Sequence, residues 1–142
     1  EYLGLVAAAK GFCKETSEIN HTQIDFKEHG VPRTLPNEVS LSLFRILQQA
    51  VGNAVEHSGI KRVEVLLWEQ SNEIHLQVKD FGKGFDLLAA MQGAGLGLTS
   101  MRERVRLVHG NIAIDSKPMR GTTIHVRVPL NSGGRQMEKI AV

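Results

Sequence analysis

Arg62-Val63-Glu64-Val65-Leu66-Leu67-Trp68-Glu69 and Glu73-Ile74-His75-Leu76-Gln77-Val78-Lys79-Asp80, joined by Gln70-Ser71-Asn72, decide the fold class. Both runs are β-rich, and the short polar connection between them suits a hairpin. Further along, Asn111–Lys117 and Thr122–Leu130 alternate apolar and polar residues around Pro118-Met119-Arg120-Gly121, a second hairpin. Hairpin strands pair antiparallel. A doubly wound parallel sheet would instead need a crossover helix between nearly every pair of strands, so that architecture is set aside.

Outward from the hairpins the pattern changes to helical spacing. Val39, Leu43, Ile46, Leu47, Ala50, Val51 and Ala54 recur along one helix, with Asn37 placed to cap its start and Gly59 to stop it. Thr22–Glu28, with Ile24 and Phe26 at period two, predicts a short strand, and His29–Pro32 with Leu35-Pro36 a loop. Tyr2–Ile19 carries a stripe of Leu3, Val6, Ala7, Phe12 and Cys13 that predicts a first helix. Phe81–Gly95 is glycine-rich and irregular. Thr99–His109 predicts a further helix, with Gly110 at its C-terminal end. This order predicts a mixed sheet with its helices on one face, a two-layer α/β sandwich. The folded unit spans residues 21–131, and residues 132–142 read as a tail with little apolar periodicity.

At 142 residues and 42% hydrophobic, the chain has enough apolar material for one compact domain and not two. Seventeen basic and fifteen acidic residues are spread evenly and leave a net charge of +2, which gives no electrostatic case for nucleic acid as a partner. Cys13 is the single cysteine, so neither an internal disulfide nor a cysteine metal cluster can form. No apolar run approaches the roughly 20 residues that span a bilayer, and no signal-peptide pattern is present. The chain opens Glu1-Tyr2 without an initiator methionine. These features together predict a cytoplasmic piece of a longer protein, whose own membrane anchoring the piece does not reveal.

Three segments carry chemistry. Gln49, Asn53 and His57 follow each other at intervals of four and share one helix face. Such a ridge can offer an amide oxygen to a metal and an imidazole to a phosphate, and it can equally be a solvated face. Asp80-Phe81-Gly82-Lys83-Gly84-Phe85 places a carboxylate at a strand end before alternating glycines. A carboxylate accepts hydrogen bonds only, which suits the exocyclic amine of adenine, though an ordinary Asp-capped turn fits the same residues. Gly93-Ala94-Gly95-Leu96-Gly97-Leu98 leads directly into the helix at Thr99, where exposed N–H groups and the helix dipole favour a polyphosphate. Neither the dinucleotide fingerprint nor a Walker A sequence is present, since Gly82-Lys83 is followed by Gly84. A phosphate site here belongs to another fold.

In this order and spacing the segments resemble the GHKL ATPase superfamily and, within it, sensor histidine kinases of the nitrate-sensor type. Arg45–Ser58 is similar to the N box and Asp80–Asp86 to the first glycine box. Gly95–Val105 is similar to the second glycine box and its helix, and Gly121-Thr122-Thr123 to the last glycine motif. The resemblance covers residues 35–130 and implies the Bergerat form of the α/β sandwich. It implies that ATP and Mg²⁺ are the ligands, with Asn53 holding the metal and His57 near the phosphates. Asp80 would accept from adenine, and Gly82 and Gly84 would let the base approach. Phe85, Gly93, Gly95, Leu96, Gly97 and Leu98 would belong to a mobile lid and its flank, and Thr122 and Thr123 would sit near the base. Residues 1–20 are similar to the end of a dimerisation and phosphoacceptor helix, or a linker from it. The implied activity is protein-histidine kinase, with the acceptor histidine on that dimerisation domain, a response regulator downstream and a homodimeric parent. The chain alone is not expected to phosphorylate itself.

This sequence departs from the family pattern at Phe81, where asparagine is usual, at Gln49, where glutamate is usual, and at Glu56, where lysine is common. A stand-alone ATPase clamp, a serine kinase acting on a sigma-factor system and a degenerate nucleotide-binding module share the fold. Gln49 and the short length argue against the clamp, and Gly97-Leu98 with Met101-Arg102-Glu103-Arg104 favours the histidine kinase over the serine kinase. Phe81 and Gln49 keep the degenerate module in play.

Overall fold

A computed structural model describes residues 4–84 and 97–130. Tyr2, the segment 85–96 and the tail 132–142 lie outside the described residues. The elements run α1 (Leu5–Asn20), β1 (Gln23–His29), α2 (Asn37–His57), β2 (Arg62–Gln70), β3 (Glu73–Asp80), α3 (Leu98–Leu107), β4 (Asn111–Ser116) and β5 (Thr122–Pro129). Both hairpins form. Ser71 and Asn72 take φ of 55 and 63, the left-handed pair that a two-residue turn between twisted strands requires.

The five strands lie in the order β1-β2-β3-β5-β4, parallel between β1 and β2 and antiparallel elsewhere. The parallel pair is joined through α2, as a crossover connection must be. Register then sorts the side chains. Val63, Val65 and Leu67 of β2, Leu76 and Val78 of β3, and Ile124, Val126 and Val128 of β5 are all buried on one face. They form a single core with Leu43, Ile46, Leu47, Ala50, Val51 and Ala54 of α2 and with Leu98, Met101 and Val105 of α3. The opposite face carries Trp68, His75 and His125, stacked at 4.8 and 5.2 Å between successive ring centroids. Among the described residues one face is covered by helices and the other is not, which is the two-layer α/β sandwich expected.

Two local expectations need correction. Asn37 is the first residue of α2, not its cap. Pro36 holds the cap position, and its carbonyl accepts the N–H groups of Val39 and Ser40 at 3.0 and 3.1 Å. Proline is already fixed near helical φ and so opens the helix without a side-chain cap. At the end of α3 it is His109, at φ 58, that turns left-handed. Gly110 is needed for space instead, because a Cβ there would stand 2.6 Å from the Arg127 carbonyl oxygen. Leu5, Ala9 and Cys13 of α1 are buried in the same core as α2, and burial pushes the Cys13 thiol up to about 12, so it packs as a small apolar group.

Candidate functional site

The core face turns polar in its last row. Cross-strand pairing sets Val63, Asp80, Thr122 and Ser116 side by side across β2, β3, β5 and β4. Above that row the end of α2 leaves a pocket walled by Ala50, Ala54, Val78, Leu98 and Ile124. Asp80 and Thr122 supply polar groups at its floor, Asn53 and His57 supply others from the helix, and Ser58 and Gly84 close the rim. Apolar walls with a few convergent polar groups suit a flat heteroaromatic ring recognised along one edge.

Asp80 is 8% exposed, and its Oδ1 accepts the Gly82 N–H at 2.9 Å. Burial raises its carboxyl above the ordinary 3.8, while the backbone N–H groups of Gly82 and Thr122 pull the other way. The turn that aims it is clamped by main chain. Lys83 N–H donates to the Ser58 carbonyl at 2.8 Å, and a Cβ on Gly82 would fall 2.1 Å from that same oxygen. Gly84, at φ 62, lies so close to the Lys117 carbonyl that a Cβ would approach it to 2.2 Å. Glycine is required at both positions by close approach of backbone to backbone.

The N-terminal side of the pocket is built from side chains. Gln49 Nε2 donates to Asn53 Oδ1 at 3.5 Å, and the Gly97 main chain at the start of α3 lies directly on the Gln49 amide. The His57 side chain is 48% exposed and stands 3.5 Å from Glu56. Asn53 offers a hard, neutral amide oxygen, the donor type that Mg²⁺ accepts alongside phosphates and water. Among the described residues no three imidazole, thiolate or carboxylate groups converge on a point, so phosphates and water would have to complete such a metal's shell.

The structure therefore brings together Asn53, His57, Asp80, Gly82, Gly84, Leu98 and Thr122, with Gln49 and Gly97 beside them. Phe85, Gly93, Gly95 and Leu96 lie outside the described residues. Thr123 is not among the residues brought together. The pleat turns it to the open face between Lys79 and Asp115, away from the pocket. Phe81 is also on the open side, its ring 4.7 Å from the Arg62 guanidinium and 5.3 Å from the Lys79 ammonium, so this departure falls outside the pocket lining. Two residues outside the expected site residues also belong to the site. Ser58 contributes the carbonyl that holds the first glycine turn, and Ser116 a buried hydroxyl 2.7 Å from Thr122 Oγ1.

Residues 38–132 match the family described as histidine kinase-, DNA gyrase B- and HSP90-like ATPases. The chain belongs to that family. It is 35% identical over 130 residues to the signal transduction histidine-protein kinase/phosphatase DegS of Brevibacillus brevis, covering 92% of this chain and 33% of that protein. It is 34% identical to the oxygen sensor histidine kinase NreB of Staphylococcus carnosus, over 90% of this chain and 37% of that one. The chain thus spans about a third of the length of these relatives. Among solved structures, the histidine kinase domain of the Erythrobacter litoralis EL346 blue-light activated kinase aligns with a TM-score of 0.73 at 18% identity, over 90% of this chain and 66% of that one. The catalytic domain of the histidine kinase ThkA aligns with a TM-score of 0.69 at 15% identity, over 89% of this chain and 90% of that one. These two likenesses establish the fold of the ATPase family member.

Proposed function

We propose that the chain is the ATP-binding catalytic module of a sensor histidine kinase in a two-component system. The γ-phosphate passes to a histidine on a dimerisation and phosphoacceptor domain of the same, homodimeric parent, and then to a response regulator. The observation that carries this reading is the buried row of Asp80 and Thr122 at the floor of an apolar pocket whose helical side presents Asn53.

The residues divide the work. Asp80 accepts from the exocyclic amine of adenine, while Val78, Ile124, Ala50 and Ala54 exclude water from the ring. Asn53 would hold Mg²⁺ through its amide oxygen, and the metal would supply positive charge at the phosphates. His57 stands at the C-terminal end of the same helix face, within reach of a phosphate chain laid along α2. Gln49 has no titratable group and cannot take a proton from water, so ATP is spared for the acceptor. That acceptor lies elsewhere. The six histidines are followed by Thr22, Gly30, Ser58, Leu76, Gly110 and Val126, so none has the adjacent acid that assists phosphoacceptor histidines in this family. No helix among the described residues is long and apolar enough to cross a membrane, and this reading places the module on the cytoplasmic side, where ATP is.

Calorimetry with Mg²⁺ tests the site. ATP binds and GTP does not, and Asp80→Asn weakens ATP about 10- to 100-fold, as loss of a hydrogen bond to a charged group requires. Equal affinity for ATP and GTP sinks the base assignment. Incubation with labelled ATP leaves this chain unlabelled, and an acid-labile phosphohistidine on it would overturn the separate-acceptor reading.

A further inference from the structure

We propose that His75 and His125 form an acid-sensitive latch between β3 and β5 on the open face of the sheet, closed when both imidazoles are neutral and loosened when the pair takes up protons. The inference does not depend on the nucleotide reading. Register sets His75 opposite Arg127 and His125 opposite Gln77, so the two imidazoles are diagonal neighbours across the β3–β5 ladder. His75 Nδ1 lies 3.0 Å from His125 Nε2, within hydrogen-bond distance. Trp68 of β2 runs nearly parallel to both rings, its centroid 4.8 Å from that of His75 and 5.6 Å from that of His125. His75 is thereby 8% exposed on a face that no described helix covers.

Proton count decides how the latch behaves. His75 Nε2 stands 3.6 Å from Glu73 Oε1, which favours the tautomer with its proton on that nitrogen. His75 Nδ1 is then the acceptor and His125 Nε2 the donor, and His125 Nδ1 is left bare. One added proton goes to the bare nitrogen. It spares the bond but puts a charge near Arg127 and out of water. Burial, His75 and Arg127 hold the His125 imidazole below the ordinary 6.5, with Glu73 opposing them. A second added proton has only His75 Nδ1 to go to, where N–H meets N–H and the bond breaks. Further out on this face Arg62, Lys79 and Lys27 are balanced by Glu64, Asp115 and Asp25, and His29 stands opposite Trp68. A folded value below the unfolded one means that the unfolded chain binds more protons. The latch therefore stabilises the fold fully above 6.5, and its contribution is lost as pH falls from there through the folded value.

Trp68 is the single tryptophan, and an imidazolium against an indole quenches its fluorescence, so its emission reports the pair. The test follows emission and urea unfolding from about pH 8 to about pH 5, across the histidine range. His75→Asn and His125→Gln keep an acceptor and a donor near the replaced ring nitrogens but do not titrate. Parent emission falls on acidification with a midpoint below 6.5. In His75→Asn, which removes one of the charges that hold His125 down, the midpoint rises, and in the double variant emission is flat. Over the same range the parent loses about tenfold in its folded-to-unfolded ratio for each pH unit between the unfolded and folded values. His125→Gln loses less, and the other histidines and Asp80, common to both chains, drop out of the comparison. A midpoint unmoved by His75→Asn overturns the proposal, as does a double variant that still titrates through His29. Parallel stability profiles for the parent and His125→Gln overturn it too, and that pair decides alone should His75→Asn fail to fold.

Discussion

At the Asp80 side of the pocket, main chain meets main chain, with the first glycine turn wedged between the Ser58 carbonyl and the Lys117 carbonyl. On α2 the arrangement is opposite, because Gln49, Asn53 and His57 project as side chains from one partly exposed helix face, Gln49 Nε2 donating to Asn53 Oδ1 at 3.5 Å. Under the proposed function the contrast separates two tasks. Recognition of a base needs donors and acceptors fixed to within tenths of an ångström, and packed backbone supplies that rigidity. Delivery of a phosphoryl group to another domain needs reach and access, which side chains on a helix surface retain. The first region is therefore intolerant of added atoms, and the second of changed chemistry.

Two glycines, one in each region, give the largest expected difference. Gly82→Ala places a Cβ 2.1 Å from the Ser58 oxygen and 2.4 Å from its Cβ, so the turn must open and the Lys83–Ser58 hydrogen bond must break. ATP binding falls below detection, and stability drops by about 1–3 kcal/mol, as forced overpacking does. Gly52→Ala, on α2 within the other region, meets nothing within 4 Å. It keeps nucleotide affinity and gains about 0.5–1 kcal/mol from better helix propensity. Calorimetry and urea unfolding on both variants decide the matter. Equal losses in the two would break the distinction between backbone-built and side-chain-built regions.

A smaller effect sharpens the chemistry of the α2 region. Gln49→Glu puts a carboxylate one helical turn from Asn53, where it can accept a proton from water. General-base assistance contributes about 10²-fold at the low end of its range, so steady-state phosphate release rises by up to about that factor while ATP affinity stays within a few-fold. An unchanged rate means that position 49 serves to brace the Gly97 main chain, which rests on its amide, and has no part in activating water.

The same contrast explains what is legible in the sequence. The two hairpins are legible because alternation and turn residues are local signals, and Gln49, Asn53 and His57 are legible because helical spacing is. The pairing of β1 with β2 is not, since nothing within Gln23–His29 specifies a neighbour. Thr122 and Thr123 are adjacent letters, and only the register of β5 against β3 shows that the pleat sends them to opposite faces. Glycine at 82 and 84 announces close approach without naming the partner, because Ser58 acts through a carbonyl that every residue possesses. Ser116 is a lone serine at a strand end, and its part depends on the cross-strand row. The proposed base-binding side is thus the less readable of the two, as its geometry is written in backbone and tertiary register.

Rigid enclosure of Asp80 should also appear in the stability of the nucleotide-free chain, as the smallest of these effects. Burial raises the Asp80 carboxyl above 3.8, with the Gly82 and Thr122 N–H groups opposing it in part. A carboxyl whose folded value lies above its unfolded value binds its proton more tightly when folded. Its contribution is fully present below the unfolded value and is lost as pH rises through the folded one. At neutral pH the ionised Asp80 is therefore a net destabilising group, a cost that the proposed base site accounts for. Asp80→Asn keeps the side-chain oxygen that receives the Gly82 N–H and removes the buried charge. The variant melts slightly higher than the parent at pH 7, and the gap closes as pH falls toward 4. Thermal melts of the two proteins without nucleotide, from pH 4 to 7, supply the measurement. A variant that melts lower than the parent at pH 7, or a gap that widens on acidification, would show that the two backbone donors outweigh desolvation and that the charge at the base-binding side stabilises the fold.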